Sequence, residues 1–147
     1  MKKGILIIGC GEIGTCLIDG WLNKKQEFFR KINQINVIEN NKKRINYLKK
    51  KYSDKIFFLE NKKSIFSSKK FKYVFLAFKP QDLNKKIYFY KNLFSSETII
   101  FSLLAGKKIS NISSFFKENK NIVRLMLNTP ICLNEGTIIY HPLKKNI

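Results

Sequence analysis

Gly4-Ile5-Leu6-Ile7-Ile8-Gly9-Cys10-Gly11-Glu12-Ile13-Gly14 is the stretch on which the fold turns. Its first half is a short unbroken apolar run, the mark of a strand buried on both faces. Its second half is a G-x-G-x-x-G, a weak string alone. Here it follows a predicted buried strand and opens a predicted helix, the context that gives the pattern physical meaning. The first glycine permits a tight turn, the second lets backbone approach a pyrophosphate, and the third lets the helix pack on the strand. The helix N-terminus adds unpaired N–H groups and a positive dipole end, both suited to phosphate. Gly9, Cys10, Gly11, Glu12, Ile13 and Gly14 are therefore candidate cofactor-binding residues, Cys10 mainly through its backbone.

Outward from this loop, periodicity switches repeatedly between strand and helix. Ile13, Cys16, Leu17, Trp21 and Leu22 form a helical stripe from Glu12 to about Lys25. Ile35 to Ile38 reads as a second strand, and Lys42 to Tyr52 as an amphipathic helix. Lys55 to Leu59 predicts a short strand and Ser64-Ile65-Phe66 part of a short helix. Tyr73 to Phe78 is a strongly apolar strand, and Pro80 opens a helix running to about Leu93. Thr98 to Leu103, a helix near Ile109 to Phe116, Asn121 to Met126 and a last β segment at Thr137 to Tyr140 complete the series. Such alternation predicts an α/β domain with a mostly parallel sheet.

The fingerprint also expects a carboxylate at the end of the second strand, bonded to the adenine ribose. Glu39 follows Val37-Ile38 and sits 25 residues after Gly14. A carboxylate there accepts from the ribose hydroxyls and repels a 2′-phosphate, which favours NADH over NADPH. Lys42-Lys43-Arg44 downstream is the counter-candidate, able to hold a 2′-phosphate if turned inward; otherwise it is a solvated first helical turn.

At 147 residues the chain suits one domain, spanning 1–147, with a 1–126 core and a 127–147 terminal segment. Hydrophobic residues make 44% and charged residues 27%, an ordinary globular balance. No apolar run reaches the roughly 20 residues of a membrane span. The 29 basic against 10 acidic residues give +19, which points toward polyanions. Yet only Arg30, Arg44 and Arg124 are arginines, the residue that specific nucleic-acid readout favours. No specific nucleic-acid or membrane partner is expected. Cys10, Cys16 and Cys132 lack a framework spacing, and with His141 they match no zinc pattern. They read as small reduced thiols of a cytoplasmic protein, with no metal site. The apolar stretch before Cys10 is too short for a signal peptide.

Four blocks resemble pyrroline-5-carboxylate reductase. Besides the glycine loop, Ala77-Phe78-Lys79-Pro80-Gln81 is similar to that family's A-V-K-P-Q, and Ser102-Leu103-Leu104-Ala105-Gly106 to its S-x-A-A-G turn. Val123 to Pro130, followed by Asn134-Glu135-Gly136-Thr137, resembles V-R-x-M-P-N-T-P…x-E-G-A/T. The resemblance implies a Rossmann-type doubly wound sheet and hydride transfer from NADPH or NADH to the C=N carbon of 1-pyrroline-5-carboxylate, giving L-proline. It implies that Ile8 to Ile13 hold the pyrophosphate and that Asn61 lies near the adenosine ribose. Ala77, Phe78, Lys79 and Pro80 would line the cofactor, with Leu103, Leu104 and Ala105 flanking the nicotinamide. Asn128 and Thr129, as cofactor-binding residues, would border the nicotinamide and the substrate entrance, and Glu135 is a candidate substrate contact with a plain turn carboxylate as its alternative. Arg124, within a strand, reads as a structural ion-pair partner. Leu127 and Phe78 depart from the family's proline and smaller aliphatic residue.

That family carries a second, all-helical domain that forms homo-oligomers and supplies the catalytic substrate contacts. Here the sequence stops at Ile147, so the expectation is a chain that lacks that domain and is inactive alone. Two other readings are a stand-alone dinucleotide-binding module and a basic nucleic-acid-binding protein on the same scaffold.

Overall fold

The structure, a computed structural model, describes residues 2–23, 34–59, 71–116 and 121–143. Strand β1 (Lys2–Ile8) lies near the centre of a seven-stranded sheet. It pairs in parallel with β2 (Ile35–Ile38) and with β4 (Phe71–Leu76). β3 (Ile56–Phe58) extends the sheet beyond β2, and β5 (Ile99–Ser102) and β6 (Ile122–Leu127) extend it beyond β4, all parallel. β7 (Ile138–Pro142) closes the far edge antiparallel to β6. The order is β3-β2-β1-β4-β5-β6-β7, so the direction of winding reverses between β1 and β4.

Alternation along β1 explains why both faces are covered. Ile5 and Ile7 pack into one core with Leu17 and Ile18 of helix α1 (Glu12–Leu22) and Leu48 and Tyr52 of α2 (Lys42–Tyr52). Leu6 and Ile8 pack into the other with Leu83, Ile87 and Tyr90 of α3 (Leu83–Tyr90) and Ile112 of α4 (Ile109–Ser113). Leu6, Ile7 and Ile8 are fully buried, and each such side chain contributes about 1.5–3 kcal/mol. This is the two-faced burial that the unbroken apolar run predicts. The α/β, doubly wound, mostly parallel sheet follows, and no all-helical domain is present among the described residues.

Several boundaries differ from the sequence reading. Pro80 does not open an α-helix; it begins a 3-10 turn over Pro80–Asp82, closed by the Asp82 N–H donating to the Lys79 carbonyl at 2.9 Å. Proline supplies no N–H and holds Lys79 extended, so the chain tightens before α3 begins. The helix at α4 is five residues long. The helix expected at Ser64 to Phe66 lies outside the described residues.

The three cysteines require a correction. Cys16 and Cys132 form a disulfide with Cα atoms 4.4 Å apart, and Cys10 alone is free. Packing brings the pair together: a 3-10 turn, Thr129–Leu133, lies against α1. Gly20 admits it, since a Cβ there would stand 2.5 Å from the Ile131 carbonyl oxygen. Asn134 then adopts a left-handed conformation (φ 61°), and the chain returns as β7. Ile138, Ile139 and Tyr140 of that edge are exposed, as is Met126, which pairs with Ile139. Among the described residues no helix is long and apolar enough to cross a membrane, and no cluster of potential metal ligands occurs.

Candidate functional site

The carboxyl ends of β1 and β4 meet where the winding reverses, the place where open α/β sheets bind ligands. The three glycines are held there for three different reasons. Gly9 has φ +85°, and a Cβ on it would stand 2.7 Å from the Phe78 Cα, so the β1 and β4 loops touch through it. Gly14 faces the Gly9 carbonyl, where a Cβ would sit at 3.0 Å, and so lets α1 lie against the loop. Gly11 differs from both. Its φ of −71° suits any residue, and a Cβ there would meet no protein atom within 4 Å. The protein's own packing does not require glycine at that position. Open space against the N-terminus of α1, with no side-chain cap, fits a phosphate-bearing ligand approaching the backbone.

The loop's other polar groups are bonded within the protein. The Gly9 N–H donates to the Ile38 carbonyl at 2.8 Å, and the Cys10 N–H to Glu39 Oε2 at 2.8 Å. Glu39 Oε1 accepts from the N–H groups of Asn40 (2.7 Å) and Asn41 (2.9 Å). Burial alone would raise the Glu39 carboxyl. The N–H donors of Asn41, Cys10 and Asn40, with Lys86 nearby, outweigh it and hold the group below its ordinary value. Three of its roughly four acceptor positions are thus filled, leaving room for one ribose hydroxyl rather than two. Arg44 is no solvated first-turn residue. Its Nε donates to the Cys10 carbonyl at 2.8 Å and its Nη2 to Thr15 Oγ1 at 2.6 Å, while Nη1 pairs with Glu12 at 3.1 Å. The Cys10 thiol is buried and pushed up to about 12, chiefly by that burial, so it is protonated and inert at neutral pH.

A groove of about 1410 Å³ opens over this region. Of the expected residues, Gly9, Gly11, Glu12, Glu39, Ala77, Phe78 and Lys79 line it. A smaller cavity of about 280 Å³ lies between the ends of β5 and β6, lined by Ile13, Leu103, Leu104 and Ala105. Ile8 and Cys10 are buried beneath the loop, and Pro80 opens the turn behind Lys79. Asn128 and Thr129 line neither cavity. The Asn128 Oδ1 accepts from the Thr137 N–H at 2.8 Å, which fixes the return to β7, and Thr129 begins the 3-10 turn. Glu135 is exposed in the turn before β7 and also lines neither cavity. Asn61 lies outside the described residues.

The structure adds residues that the sequence reading missed. Asn40, Asn41, Lys85, Lys86, Tyr88 and Phe89 line the larger groove, and Arg124 lines the smaller cavity. Asn41 carried a legible signal, an asparagine before a helix; its Oδ1 accepts from the Arg44 N–H at 3.1 Å as an N-cap. For the α3 residues no local signal exists, because their place depends on how α3 crosses the sheet.

The model of the family described as "NADP oxidoreductase coenzyme F420-dependent" matches residues 4–106. No curated protein sequence matches the chain. Among solved structures, the pyrroline carboxylate reductase of Plasmodium falciparum, with NADP bound, is 22% identical, with a TM-score of 0.72. That match covers 100% of this chain and 50% of the other. The pyrroline-5-carboxylate reductase of Coxiella burnetii is also 22% identical, with a TM-score of 0.75, covering 100% of this chain and 52% of that one. The prephenate dehydrogenase of A. aeolicus, with hydroxyphenyl propionate and NAD+, is 14% identical at a TM-score of 0.74, covering 99% and 52%. The chain therefore spans about half the length of the solved structures it matches, and the shared property is the fold.

Proposed function

The chain belongs to the NADP oxidoreductase, coenzyme F420-dependent, family, and from that premise we propose that it is the dinucleotide-binding domain of a pyrroline-5-carboxylate reductase. The substrate would be 1-pyrroline-5-carboxylate and the product L-proline. The observation that carries the cofactor reading is Gly11, a glycine required by nothing in the protein and set at an uncapped helix N-terminus. What supports the substrate class is the run of blocks Ala77 to Gln81, Ser102 to Gly106 and Val123 to Thr137, which fall on the ends of β4, β5 and β6.

Bound here, a reduced nicotinamide supplies hydride. The chain's own residues do the holding. N–H groups at the start of α1 receive the pyrophosphate, and the one free acceptor position of Glu39 takes a ribose hydroxyl. Leu103, Leu104 and Ala105 give the second cavity apolar lining, against which the nicotinamide would lie. Glu39 favours NADH over NADPH, since its charge repels a 2′-phosphate and Arg44 is already engaged on the loop. The substrate is held elsewhere. Positioning the two reactants is worth roughly 7–11 kcal/mol of barrier, and the described residues supply the cofactor half of that geometry.

Titration of the purified chain with NADH and NADPH, followed by nicotinamide fluorescence, tests the cofactor reading. Binding of NADH about tenfold more tightly than NADPH is expected, the worth of one hydrogen bond to a charged group. Absence of binding to either would end the proposal. Growth of a proline auxotroph tests the substrate: the 147 residues alone should not restore it, and joined to the remaining half of a pyrroline-5-carboxylate reductase they should. Proline formation at ordinary turnover by the chain alone would refute the division between the two halves.

A further inference from the structure

The backbone of Cys10 is held through both of its peptides by side chains of a single segment. Glu39, at the end of β2, takes its N–H at 2.8 Å, and Arg44, in the first turn of α2, takes its carbonyl at 2.8 Å. The grip reaches one peptide further. Arg44 Nη2 donates to Thr15 Oγ1 at 2.6 Å, and that hydroxyl donates to the Gly11 carbonyl at 2.8 Å. The Glu12 carboxylate, at 3.1 Å, and the Tyr47 ring, 5.1 Å from the guanidinium carbon, fix the Arg44 side chain in turn. The carbonyls of Cys10 and Gly11 are thus both bonded within the protein. The N–H groups of Gly11, Glu12 and Ile13 have no intrahelical partner and no side-chain cap, and are the ones left for a ligand.

From this geometry we infer that Glu39 and Arg44 are positioning residues that set the orientation of two successive peptides, Gly9–Cys10 and Cys10–Gly11, and through them the anion-receiving N–H groups. The proposal rests on the dinucleotide reading above and assigns Arg44 a role distinct from reading a 2′-phosphate. A flexible glycine loop has many conformations in which a carbonyl, rather than an N–H, faces an incoming phosphate. Two charged side chains on successive peptides remove those alternatives before the ligand arrives, which lowers the ordering cost of binding. The pyrophosphate is common to all the ligands concerned, so the effect falls on each of them alike. An arginine serving a 2′-phosphate would instead act on one ligand alone.

The test compares the chain with its Arg44→Met and Arg44→Lys variants in titrations against ADP, NADH and NADPH. Amide hydrogen exchange at Cys10 is read in parallel, without ligand. Arg44→Met should weaken all three ligands by a similar factor, tenfold or more, and speed exchange at Cys10. Arg44→Lys should fall between, since an ammonium can serve the Cys10 carbonyl but not span to Thr15 as well; it also carries the test if the Met variant does not fold. Loss confined to NADPH would overturn the proposal and make Arg44 a 2′-phosphate reader. Unchanged affinities with unchanged exchange would overturn it too. If the parent chain binds none of the three ligands, the dinucleotide reading falls. The exchange rates then decide separately whether the grip orders the loop.

Discussion

Gly9 and Gly11 lie two residues apart and answer to different demands. Gly9 is needed by the fold: alanine there would be strained at φ +85° and pressed against the Phe78 backbone. Gly9→Ala is expected to cost about 2 kcal/mol or more of stability in urea melts. Gly11, on the proposed reading, serves the ligand. Gly11→Val should melt within about 2 °C of the parent yet lose at least ~100-fold in NADH affinity, ~2.7 kcal/mol. If both variants lost stability equally, the open space beside Gly11 would have to be a packing site. The structural roles of Gly9 and Gly14 were legible because each follows from short-range geometry that a strand–loop–helix context imposes. Arg44 was not, because among three adjacent basic residues only the packing of α2 beside α1 decides which one turns inward.

Elements were legible wherever burial has a period. β1 and β4 run unbroken because both faces are covered, and α2 alternates because one face meets water. Short turns follow other rules: Pro80–Asp82 and Thr129–Leu133 are 3-10, set by a proline and by docking on α1. The Cys16–Cys132 link was illegible for the same reason, its partners being 116 residues apart with no spacing to connect them. Thiol titration of the unreduced chain checks it. In denaturant one thiol, Cys10, is expected to react, and in the native chain none, because Cys10 is buried and its thiol protonated. Three reactive thiols in denaturant would remove the disulfide. Cys16→Ser should lower stability by about 2–4 kcal/mol, the usual worth of a link that closes a long loop.

For the whole molecule, +19 of net charge is set against an exposed apolar edge formed by Ile138, Ile139, Tyr140 and Met126. Charge keeps copies apart only as far as salt permits. Light scattering should therefore show self-association rising from about 50 mM to about 500 mM salt, where the Debye length falls several-fold. Ile139→Lys with Tyr140→Lys should suppress it; a chain that stays monodisperse at every salt concentration would show that this edge is not adhesive. A different consequence follows from the contact between Gly9 and Phe78, the join between β1 and β4. A ribosome delivers the glycine loop first and its buttress 69 residues later, roughly 3–14 s at about 5–20 residues per second. Until then Ile5 to Ile8 has no strand on its β4 side. For those seconds an apolar run of the nascent chain waits for the neighbour that will cover one of its edges.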